Sequence, residues 1–194
     1  YAQSSALARS VNDTAQLDEI RFNLATLLLS ERRYDEAAPP LEALVADARA
    51  SSADRDVLAL RLESLATAES HLGRFEPAIA HAREALALRK SATTDRSFAT
   101  QMAVVDSLAV LTQALGMSGQ HAEAAREIES MIAELEAQPT PRLGAITMLR
   151  ESLAARYNRL GRRAEAAELL RLVVEARAQL DGPTHPRLAH ALGS

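Results

Sequence analysis

The chain has 194 residues, 47% hydrophobic but only 3% aromatic, with no Trp, no Cys and a formal net charge of −4 at pH 7. That is enough for one ordinary domain or one short array of repeats. The missing Cys excludes disulfides, thiolate metal sites and a Cys nucleophile together, and the acidic balance disfavours nucleic-acid binding, which calls for a basic excess.

Taken in chain order, the predicted elements are all helices, because the apolar mass is Ala and Leu at steps of three and four. Residues 2–11 resemble the end of a second helix of an earlier pair. Helices are then expected at 14–31, 34–50, 54–72, 75–90, 97–118, 121–137, 141–160 and 163–180. Breaker-rich stretches separate the pairs at Ala50–Asp54, Ser91–Asp95, Gln138–Pro141 and Asp181–Thr184. Thr140 before Pro141 reads as an N-cap with Pro at the first helical position. Pro39 and Pro40 fall early in the second helix and predict a bend or a late start. Residues 185–192 read as the start of a fifth first helix, so the chain is expected to be cut from something longer. The repeats are thus placed at 14–50, 54–90, 97–137 and 141–180 of a single solenoid over 1–194.

One pattern recurs four times: Arg32-Arg33-Tyr34-Asp35-Glu36-Ala37, Gly73-Arg74-Phe75-Glu76-Pro77-Ala78, Gly119-Gln120-His121-Ala122-Glu123-Ala124 and Gly161-Arg162-Arg163-Ala164-Glu165-Ala166. Thirteen residues before each closing Ala stands Leu24, Leu65, Leu111 or Leu153, followed by the small Ala25, Ala66, Thr112 or Ala154. Each unit therefore reads as helix, tight turn, helix.

A turn Gly, an aromatic two residues later and an Ala three after that resemble the tetratricopeptide repeat, and the upstream Leu–Ala pair matches it too. The repeat usually has 34 residues; spacings of 41, 46 and 42 here are longer and resemble the kinesin-light-chain type. Pro39, two residues after Ala37, and the closing stretch from Leu180 to Leu192 are similar to that subtype as well. Arg32 in place of Gly and Arg163 in place of the aromatic depart from the pattern. The resemblance implies an all-α, right-handed α-solenoid of tandem antiparallel helix pairs, of the kind attached to bacterial signalling proteins.

It also implies a peptide-binding groove along the first helices. By register the lining falls at Glu19, Phe22, Asn23, Thr26 and Ser30; at Leu60, Glu63, Ser64, Thr67 and His71; at Asp106, Val110, Gln113 and Met117, with Ala109; and at Met148, Glu151, Ser152 and Arg159, with Ala155. The recurring carboxylates Glu19, Glu63, Asp106 and Glu151 favour a basic and apolar partner; ordinary solvated helix charge is the competing reading.

No chemistry stands out. The five His residues, His71, His81, His121, His185 and His190, form no i, i+4 pair that would suggest a metal site. No Gly-rich phosphate loop and no nucleophile elbow occurs. The Arg-rich fourth repeat has only Tyr157 for base stacking. The expectation is a non-enzymatic protein-interaction module without cofactor, a regulatory or scaffold segment of a larger signalling protein. The alternatives are an oligomerisation module working through open solenoid ends, and a nucleic-acid-binding helical repeat. No apolar run long enough for a bilayer occurs; a cytoplasmic location is expected, with the periplasmic part of a membrane-anchored protein as the alternative.

Overall fold

A computed structural model describes the backbone of residues 2–51, 54–91, 97–139 and 142–181, and their side chains except those of 2–15, 98, 180 and 181. Among the described residues the regular structure is entirely helical: α1 (Ala2–Ser30), α2 (Tyr34–Ala50), α3 (Arg55–His71), α4 (Phe75–Ser91), α5 (Phe98–Met117), α6 (His121–Glu136), α7 (Leu143–Arg159) and α8 (Arg163–Asp181). The fold is an all-α repeat of helix pairs. It divides into two compact units, Tyr1–Arg96 with α1–α4 and Ser97–Ser194 with α5–α8. Within each unit consecutive helices pack on one another, and the first helices of its two pairs also touch.

The same turn closes every pair. In the second repeat the Gly73 amide bonds the Ser70 carbonyl at 3.2 Å and the Arg74 amide bonds the Glu69 carbonyl at 2.8 Å. This pair of bonds is the Schellman C-cap, which satisfies carbonyls left open by the helix end. Arg32 and Arg33, Gly119 and Gln120, and Gly161 and Arg162 make the equivalent bonds. The first turn residue has φ of 76°, 83° and 77° at Gly73, Gly119 and Gly161, and 60° at Arg32. The second turn residue then starts the next helix: its carbonyl accepts from Ala37, Ala78, Ala124 or Ala166. That double use of one residue fixes the five-residue offset from turn to Ala read in the sequence.

The Ala positions are where helices cross. Ala37, Ala78, Ala124 and Ala166 are buried, as are Ala25, Ala66, Thr112 and Ala154 upstream. In the first unit Leu28, Leu41, Val45, Leu62 and Leu65 join one cluster with Ala37, Ala38, Ala59 and Ala68. In the second unit Leu108, Leu111, Leu115, Ile128, Met131, Ile146, Leu149, Leu153 and Val173 are buried.

Three local expectations come out differently. Helix α1 runs unbroken from Ala2, with no end at residue 11 before a new start at 14. Helix α2 begins at Tyr34 and carries Pro39 and Pro40 inside it, so of the expected bend or late start it is the late start that does not occur. Helix α7 begins at Leu143 with Arg142 as its N-cap residue; Thr140, Pro141 and the stretch 185–192 lie outside the described residues.

Candidate interaction surface

In the first unit the groove positions on α1 and α3 show two behaviours. Phe22 is half-buried and packs against the core cluster, so its ring serves the fold. Glu19, Asn23, Ser30, Leu60 and His71 are exposed, and Thr26, Ser64 and Thr67 half-buried. The hydroxyls donate to their own helix: Thr26 to the Asn23 carbonyl, Ser30 to that of Leu27, Ser64 to that of Leu60 and Thr67 to that of Glu63, at 2.7–3.0 Å. Their protons are thereby occupied, and outwardly these oxygens offer acceptor lone pairs. His71 stacks on Tyr34 with ring centroids 4.1 Å apart, which ties the end of α3 to the start of α2.

In the second unit Asp106, Gln113 and Met117 on α5 and Met148 and Arg159 on α7 are exposed, while Val110, Glu151 and Ser152 are half-buried. Leu60 and Met148 stand eighteen residues before Ala78 and Ala166. Two large apolar side chains thus occupy one register position, with 44% and 55% of their surface open.

The four recurrent carboxylates are not equivalent. Glu63 is mostly covered and accepts from Arg89 of α4 at 3.3 Å, while Arg89 also holds Asp56 at 2.7 Å. Glu151 pairs with Arg177 of α8. Each of these two acids is neutralised by an arginine of the second helix in its own pair, which leaves Glu19 and Asp106 as the exposed ones. Three further arginines of the fourth repeat are held in ion pairs, Arg150 with Glu136, Arg162 with Glu165 and Arg171 with Glu168. The Arg162 guanidinium also lies 3.7 Å from the centre of the Tyr157 ring. Tyr157 donates to Glu129 of α6 at 2.8 Å. Burial, reinforced by that carboxylate, raises the phenol above its usual range. The fourth turn thus takes its aromatic from the end of α7, where Arg163 had replaced the usual one.

Two features escaped the sequence reading. Arg156 lies over Gly116 of α5, where an added Cβ would meet its guanidinium; burial and then the neighbouring Arg159 lower its pKa. Leu17, Ile20, Leu24 and Leu27 form an exposed strip along α1. Their spacing of three, four and three was visible in the sequence, but the repeat alignment placed Leu24 with the core leucines. Among the described residues no His, Asp or Glu cluster is arranged to hold a metal, and no helix is long and apolar enough to cross a membrane.

The sequence pattern of the tetratricopeptide repeat matches residues 58–92 and 147–187, in the second and fourth helix pairs. No curated protein matches the chain. Among solved structures, BtubC (BKLC) from P. vanneervenii is 21% identical with a TM-score of 0.71, over 88% of this chain and 66% of that one. The apo form of RapI is 13% identical with a TM-score of 0.70, over 96% of this chain and 50% of that one. The chain spans just under two thirds of the first and half of the second; at such identities the likeness is one of fold. A Schellman turn and a buried Ala occur in every helix pair, and the second and fourth pairs, over residues 58–92 and 147–187, carry the tetratricopeptide repeat.

Proposed function

We propose that this chain is a protein-interaction module that holds a peptide or protein segment against the first helices of its repeats. The observation that carries the reading is the register of the exposed side chains. Leu60 and Met148 stay open at one position while the Leu five residues further on, Leu65 and Leu153, is buried. Single exposed apolar residues are common; an apolar residue at the same position in each unit, beside half-buried hydroxyls, suits a segment laid along the first helices of that unit. The acceptors of Ser64, Thr67 and Asn23 suit its backbone amides. With Glu63 and Glu151 already neutralised, the basic character asked of the partner rests on Glu19 and Asp106. Such a module acts through what it holds, as a regulatory or scaffold segment of a signalling protein.

The test is affinity capture from the source cell, with the retained protein identified by mass spectrometry. Leu60→Glu and Met148→Glu should release it, and Ala46→Glu, at an exposed position of α2, should retain it. Equal retention by all three variants would overturn the reading.

A further inference from the structure

One arginine of the second unit stands where the other repeats place an apolar side chain. Ten residues before the closing Ala of each repeat are Leu27, Ala68, Ala114 and Arg156. Ala68 and Ala114 are fully buried, so at those two places the position serves helix packing. On α7 it carries a guanidinium instead, and Gly116 of α5 makes the room. A Cβ at Gly116 would lie 2.0 Å from Arg156 Nη1 and 2.8 Å from its Cζ. Glycine is the poorest helix residue after proline, and Gly116 lies within α5 without a positive φ, so no turn requires it there.

The guanidinium seated on Gly116 has no acceptor. Arg156 is half-buried, its Nε is enclosed without a hydrogen-bond partner, and no carboxylate among the described residues pairs with it. Its charged neighbour is Arg159, three residues on and therefore on the same face; burial and then this like charge lower the Arg156 pKa. Arg159 is exposed and is likewise without an ion pair among the described residues. By contrast Arg150, Arg162, Arg171 and Arg177 each hold a carboxylate. A cation withdrawn from water costs stability unless it is paired and hydrogen-bonded. A helix glycine, a guanidinium in place of alanine and two adjacent unpaired cations all depart from what packing favours, and they do so at one point, which is the mark of a site.

We propose that Arg156 and Arg159 form an oxyanion site that takes the phosphoryl group of a phosphorylated protein segment. Two guanidinium groups present two positive charges and five N–H donors each. A phosphoryl group brings three acceptor oxygens and about −1.5 to −2 charge at pH 7, and so matches the pair where a single carboxylate leaves one charge over. The segment rests on the reading of the first helices as the binding face. Met148 stands eleven residues before Arg159 on the same face of α7, about 16 Å along the helix, a distance that about five extended residues span. The segment is thus expected to carry a large apolar residue about five positions from the phosphorylated one.

Solution NMR of the full chain, titrated with N-acetyl-phosphoserine amide at about pH 7.5, where the phosphoryl group is close to doubly charged, reads the site without any partner protein. Saturable shifts should be confined to the amides around Gly116 and Arg156–Arg159 and to the Arg156 Nε–H, with a Kd of about 1 mM. The capped glutamate analogue should bind about tenfold more weakly, and Arg156→Gln and Arg159→Gln should each weaken the phosphoserine by about tenfold or more, each having lost a charge-assisted bond. Gly116→Ala keeps both charges but pushes the guanidinium off its seat; it should weaken binding while raising the melting point, a combination that a merely structural role does not produce. Circular dichroism checks that the variants are folded. Shifts that never saturate, equal binding of glutamate, or wild-type binding by Arg156→Gln and Gly116→Ala would each overturn the proposal. Peptides with Leu five residues before or after the phosphoserine, compared with inorganic phosphate, identify the source of the group. One of them should bind about tenfold more tightly than inorganic phosphate, and Met148→Glu should abolish the gain. Without such a gain the site would belong to free phosphate, and the segment would be refuted. The capped amino acid does not involve Met148, so failure of the phosphoryl site and failure of the groove reading are told apart.

Discussion

Four equivalent turns hold three glycines and one arginine at positive φ, which makes a controlled experiment. A side chain in the left-handed region costs about 1–2 kcal/mol through the clash of Cβ with the backbone. Replacing Gly by Ala also removes freedom from the unfolded chain, which returns about 0.4–1 kcal/mol. A Cβ added at Gly73, Gly119 or Gly161 meets nothing within 4 Å, so no packing cost enters. Gly161→Ala should therefore cost about 1 kcal/mol, and Arg32→Gly should gain about 0.5 kcal/mol by the reverse path. Gly116 is the internal control. It lies within α5 rather than in a turn, and a Cβ there meets Arg156 Nη1 at 2.0 Å. The obstacle is the mobile end of a side chain whose Nε has no hydrogen-bond partner, so it yields to solvent while the helix gains about 1 kcal/mol of propensity. Gly116→Ala should raise stability where Gly161→Ala lowers it. At this size 1 kcal/mol is about 2–4 °C in Tm. Thermal and urea unfolding by circular dichroism give the ranking. Because repeats unfold with limited cooperativity, amide exchange at Leu160–Arg162 checks the effect locally. A Gly161→Ala protein as stable as wild type, or an Arg32→Gly protein that is less stable, would refute the reasoning.

Ala78→Leu and Ala124→Leu should each cost on the order of 1–3 kcal/mol by overpacking a helix crossing, since both sites are fully buried; unchanged melting midpoints would mean that these are not contact positions. Tyr157 predicts an alkaline loss of stability. Its folded pKa is raised above 10.0, so the unfolded state releases the proton first, and the contribution, complete below about pH 10, is lost as pH rises through the folded value. Tyr157→Phe should flatten urea midpoints between about pH 9 and 11 relative to wild type. With net charge −4 and the basic side chains of the fourth repeat largely paired, gel shifts at roughly 150 mM salt should show no sub-micromolar binding of duplex DNA or RNA.

The sequence by itself determined the helices, the four turns and the small positions at helix crossings. Those features are local: a left-handed residue, a capping pair and an Ala five residues on are all fixed by bonds within one turn, so spacing alone reveals them. Even the Arg32 exception was legible, as the one turn without Gly. Tertiary structure decided what each exposed face meets. Glu63 and Glu151 stand one helical turn after the register position of Glu19 and Asp106, and in the sequence all four read as groove carboxylates, yet Arg89 and Arg177 reach back from the second helices to neutralise only Glu63 and Glu151. Leu24 looked like Leu65 and Leu153, yet it is open because its cover has to come from a neighbouring helix pair. Burial at these positions is a property of the adjoining pair rather than of the residue. Full burial of one Leu contributes about 1.5–3 kcal/mol, and a repeat gains it only when another second helix packs against its first.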